Sequence, residues 1–64
     1  MRTAIVNKGF TGRYTNKETA KAKAEEVGGD ICHLLLQNHG LQATFGFAVE
    51  KNNIIIGCDE FKWI

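Results

Sequence analysis

Cys32, His33, His39 and Cys58 are the residue types that hold zinc or build a nucleophile–base pair, so chemistry would be expected among them first. Their spacing argues against both uses. Structural zinc sites take ligands in pairs two to four residues apart, and the adjacent Cys32-His33 cannot readily face one ion. If that pair lies on a helix, its side chains point about 100° apart and cannot meet as a catalytic dyad. The carboxylate pairs Glu25-Glu26 and Asp59-Glu60 read as solvated faces, because so small a domain offers little depth for a cleft. The chain is therefore expected to be no enzyme, to hold no metal and to need no cofactor.

A second chemistry is anion binding. Up to Lys23 there are six basic residues against the single acid Glu18, a balance of +5, and from Ala24 onward two lysines face six acids, a balance of −4. The net charge of +1 hides this asymmetry, and a basic end on a nearly neutral chain suits a negatively charged ligand. Residues 8–16, KGFTGRYTN, lead directly into a helix start, where free N–H groups and the dipole attract anions. Lys8, Arg13 and Lys17 surround that start, with Lys21 one turn on, and Tyr14 or Phe10 could stack on a base. The loop lacks the lysine and the full spacing of a P-loop. The competing reading is a turn whose glycines serve geometry and whose lysines keep the chain soluble.

These residues must be held by few elements. With 64 residues, 44% hydrophobic and 23% charged, the chain has the composition of one globular domain, 1–64. It has no apolar run near membrane-spanning length, and its start is too soon polar for a signal peptide. Two cysteines are too few for a disulfide framework, so a reducing cytoplasm is expected.

Residues 3–7 read as a strand. Residues 8–16 follow as a loop, or as a hairpin arm with 10–15 as a second strand. From Asn16 the period changes: Ala20, Ala24, Val27, Ile31, Leu34 and Leu35 fall on one helical stripe about 100° wide. The phase holds across Gly28-Gly29, which favours one kinked helix from 16 to about 38. The rival ends the helix at Gly28 and makes 31–37 a strand.

Residues 41–50 alternate, with Phe45, Phe47 and Val49 on one side and Thr44, Gly46 and Ala48 on the other. Asn52-Asn53 tolerates positive φ and closes a two-residue hairpin pairing Lys51 with Ile54, Val49 with Ile56 and Phe47 with Cys58. The expected fold is α+β: β-α-β-β, one amphipathic helix on a small, mainly antiparallel sheet, or β-α-β-β-β with a shorter helix.

In that arrangement the helix covers Phe45, Phe47, Val49, Ile54, Ile56 and Cys58 and leaves the opposite face flat and bare. Phe61 and Trp63 then project beside small residues, unless a bulge near Asp59 turns both rings into the core. The expected function is a small non-enzymatic protein-interaction module, of adaptor or inhibitor type. It would bind a partner protein or itself through the open face, the sheet edge and the carboxyl-terminal aromatics: Thr44, Gly46, Ile55, Phe61 and Trp63. The alternative is nucleic-acid or phosphate binding by Lys8, Arg13, Tyr14, Lys17 and Lys21. Neither a membrane nor a small-molecule substrate is expected.

Overall fold

The computed structural model describes residues 1–7, 9–38 and 40–64. Its elements run β1 (Arg2–Val6), α1 (Lys17–Val27), β2 (Asp30–Asn38), β3 (Leu41–Lys51), β4 (Ile54–Ile55) and β5 (Phe61–Trp63). They form an α+β fold of one helix on a five-stranded, mostly antiparallel sheet ordered β4-β3-β2-β1-β5. The one parallel pair, β1 with β2, requires a crossover, and α1 supplies it.

The single long helix is corrected to the shorter one. Asn16 caps its start, the side-chain oxygen accepting from the Glu18 N–H at 2.8 Å. At the other end Gly28 adopts the left-handed conformation at φ 75°, and its N–H and that of Gly29 close back on the Ala24 carbonyl. Lys51 Nζ donates to the Val27 carbonyl at 2.9 Å and brings a cation to the helix C-terminus. Residues 31–37 therefore form a strand. Their apolar run matched the helical phase because β2 packs on both faces, and such a strand loses its alternation.

The register assigns the two faces. Ala4, Val6, Cys32, Leu34, Gly46 and Ala48 lie on one, with Thr3, Ile5, Ile31, His33, Phe47 and Val49 on the other. The first face holds the main core: Ala4, Val6, Cys32, Leu34, Ala48 and Ile55 pack with Phe10 and Cys58 from the loops, flanked by Phe45, Phe61 and Trp63. The sheet curls around this cluster far enough for its two ends to meet, Trp63 Nε1 of β5 donating to the Asn53 carbonyl beside β4 at 3.2 Å. The helix lies over β3 and β2 on the second face, where Lys51 reaches its end and its buried residues are the alanines Ala20 and Ala24.

Two further expectations are corrected here. The face expected to be bare is the concave, core-bearing one. The helix covers less than expected: Ile54 and Ile56 stay 59% and 46% exposed, beyond its reach at the sheet end, while Cys58 joins the core on the other side.

The hairpin turn stands as expected. Asn52 and Asn53 both take positive φ, and Lys51 pairs with Ile54. The ladder reaches Ile56, whose N–H bonds the Val49 carbonyl, and the chain then turns away, so Cys58 never faces Phe47. Tyr14 takes that position, exchanging two 2.7 Å backbone hydrogen bonds with Phe47. The 9–16 segment thus contributes one bridge rather than a second strand.

That bridge depends on Gly46. Phe45 is the extra residue of a β-bulge, since Leu34 pairs with Gly46 and Leu35 with Thr44. Gly46 has φ 138°, and a Cβ there would sit 2.6 Å from the Tyr14 carbonyl oxygen. Gly46→Ala is expected to part Tyr14 from β3 and cost about 1–3 kcal/mol. Thermal melting should show it as a fall in Tm of roughly 4–8 °C per kcal/mol, with faster hydrogen exchange at the Tyr14 and Phe47 amides.

Candidate protein-interaction surface

The residues expected to line an interaction face are dispersed by the fold. Ile55 is fully buried, and Gly46 is buried beneath Tyr14. Ile55 in particular has no surface to offer, because the curled sheet closes over it. Phe61 and Trp63 do share the face of Gly46 and Ala48, but they enter beside β1, opposite Val6 and Ala4. The expectation that they project beside the small residues of a bare face is therefore corrected. Both rings are half-buried on the core and meet edge to face at 5.3 Å.

Trp63 is further held by a clasp at the rim of the concave face. The Arg2 guanidinium stacks 3.8 Å above its ring, reaches Glu50 Oε1 at 3.5 Å and donates to the Asn53 side-chain oxygen. With the Trp63 hydrogen bond to Asn53, these contacts tie β1, β3, the β3–β4 turn and β5 together. The aromatic end closes the core and is not a free docking patch.

The basic residues are also put to structural use. Arg13 donates to the Phe45 carbonyl at 2.8 Å and stacks 4.5 Å over the Phe45 ring. The Tyr14 backbone is spent on β3, and Asn16 and Glu18 already serve the helix start. Lys17 and Lys21 are exposed one turn apart on α1; Lys8 lies outside the described residues.

The potential nucleophiles are withdrawn. Burial pushes the Cys32 thiol up from 9.0 to about 11, reinforced by the Glu50 carboxylate. Burial likewise raises Cys58, whose Sγ contacts the Glu60 carbonyl oxygen at 3.2 Å. The His33 ring packs on Phe47, centroids 5.7 Å apart. His39 lies outside the described residues. Among the described residues no three His, Cys, Asp or Glu side chains converge as metal ligands, and no helix is long and apolar enough to cross a membrane.

One surface was missed by reasoning from the sequence. β1 accompanies β2 only as far as the Val6–Leu36 pair, and Tyr14 borders β3 only at Phe47. Among the described residues no further strand pairs with the β2–β3 hairpin beyond these points, and residues 41–44 are all exposed, Leu41 at 75%. On the core-side face of this arm Leu36 pairs with Ala43, and Leu41 follows two residues on. Thr44, pairing with Leu35, belongs to the opposite face. An isolated two-stranded ribbon is marginal in water, so an apolar arm of this kind is in need of cover.

A signal for it did exist. Apart from His33 and His39 no ionisable side chain that is charged near neutral pH occurs from Ile31 to Val49, a stretch bounded by Asp30 and Glu50. No known protein family, curated protein or solved structure matches this chain.

Two expectations follow from these contacts. Trp63→Ala removes a ring that meets Phe61 edge to face and carries the Arg2 guanidinium, and should cost about 2–4 kcal/mol, seen as a lowered denaturation midpoint in urea. The raised Cys32 value means that the folded state holds this proton more tightly than the unfolded chain. Its stabilising effect is complete below pH 9 and is lost as pH rises toward 11. Urea titrations across that range should show the loss, and Cys32→Ala should flatten it.

Proposed function

We propose that this chain is a small, non-enzymatic protein-interaction module whose contact surface is the projecting β2–β3 arm. The observation that carries the reading is the apolar stripe of Leu36, Leu41 and Ala43 on a ribbon that outruns both β1 and Tyr14. A partner strand laid along β3 would satisfy its outer backbone groups, and the stripe would supply apolar contact. The thiols, raised and buried, support a binding role over a catalytic one. They also suit a reducing compartment such as the cytoplasm.

Thr44 keeps its place in this reading as an exposed residue of the arm, while Ile55, Phe61 and Trp63 act by holding the body that presents it. Residues 41–44 of the arm carry no lysine or arginine to attract a polyanion, and the exposed Lys17 and Lys21 sit on the separate helix.

The test is a comparison of three immobilised chains in a pull-down with nuclease-treated extract: the native protein, Leu41→Lys/Ala43→Lys and Lys17→Glu/Lys21→Glu. A lysine pair on the arm should abolish capture while far-UV circular dichroism is kept, and the helix pair should capture normally. Retention lost only with the helix variant, or only on nuclease treatment, would instead point to anion binding.

A further inference from the structure

Resting on the reading of the arm as the contact surface, we infer that its occupant is a second copy of this chain, joined β3 to β3 in antiparallel fashion along the outer edge of residues 41–44. The outer edge of β3 is occupied in sequence. β4 pairs with Glu50 and Lys51, Ile56 bonds Val49, Tyr14 bonds Phe47, and the Arg13 guanidinium takes the Phe45 carbonyl. Among the described residues no strand pairing or backbone hydrogen bond is made to 41–44 on that side. Covered edge therefore gives way to open edge at the bulge, within one strand.

Charge favours self-pairing. Proteins protect exposed edges with lysine, inward charges or proline, and residues 41–44, Leu-Gln-Ala-Thr, have none of these. A charged partner segment would find no counter-charge on the arm. A second arm brings none to be opposed, so the neutral edge is its own complement.

The geometry also fits. The two-fold axis of an antiparallel edge pair stands normal to the sheet and keeps the same face of both copies on one side. Leu36, Leu41 and Ala43 of both copies would then lie on one side of the joined sheet, with Leu41 and Ala43 at the seam and Leu36 one strand behind it, and extend the two cores into one apolar surface. Antiparallel pairing sends the two bodies to opposite ends, and the isologous contact closes after two copies. Each chain would contribute its hairpin to a continuous sheet β2-β3-β3-β2.

Sedimentation equilibrium across a range of protein concentrations, with amide hydrogen exchange on the native protein, tests the inference. The expected result is a mass of twice 7.1 kDa at high concentration. Protection of the 41–44 amides should rise with concentration, and Leu41→Lys/Ala43→Lys should weaken association by at least about tenfold. A native chain that stays monomeric throughout, or a dimer whose 41–44 amides gain no protection, would overturn self-pairing. The exchange measurement needs no variant and stands even if the lysine pair unfolds the chain. A monomeric native protein that still loses pull-down capture with the lysine pair would refute the second copy alone. Indifference of both assays to the lysine pair would refute the arm itself.

Discussion

The left-handed turn at Gly28 is the constraint on which the remaining structure depends. A side chain there would face the steric cost of positive φ, and one at Gly29 would run into the Glu50 carbonyl of β3. Because both positions lack a Cβ, the chain can leave the helix and enter β2 within a few residues. β2 then pairs in parallel with β1 and antiparallel with β3, the arrangement that brings together residues distant in sequence. Had the helix continued, Cys32 and Leu34 would have no place at the centre of the core.

From that centre the sheet bends until its ends touch. Ile55 from one end and Trp63 from the other belong to the same apolar cluster, and Arg2 locks the rim through a ring, a carboxylate and an amide. A domain of this size buries only about 60% of its unfolded surface, so a curled sheet with its own interior is an economical solution. The helix is left a lesser part, resting two alanines on the convex face. Several residues whose types suggested contact or anion binding are used up by this closure. Ile55 seals the core, Trp63 joins the ends, and Arg13 and Tyr14 border β3 beside the bulge.

The same closure explains why the arm stands out. β3 runs eleven residues, about 36 Å of strand and close to the 35 Å long dimension of the molecule, whereas β1 has five residues and β5 three. The short strands exhaust the material for cover near Leu36, and the long hairpin goes on without it. Stability and interaction are thereby divided along one strand: the half of β3 past the bulge builds the core, and the half before it presents an apolar edge.

Local chemistry in the sequence was enough to specify the α+β class, a helix starting near Asn16, the strand at the amino end and the Asn52-Asn53 turn. Each depends on residues adjacent to one another: a side-chain cap, a two-residue turn or a short alternation. The end of the helix was ambiguous because an apolar run buried on two faces satisfies a helical stripe as well as a strand. The assignment of faces was beyond local reasoning for a related reason. Alternation says which side chains share a side, but only the curling of the sheet and the return of residues 57–64 to β1 decided which side becomes the interior. That choice rests on contacts such as Arg2 with Trp63 and Tyr14 with Phe47, between residues far apart in the chain, whose pairing no neighbouring residue encodes.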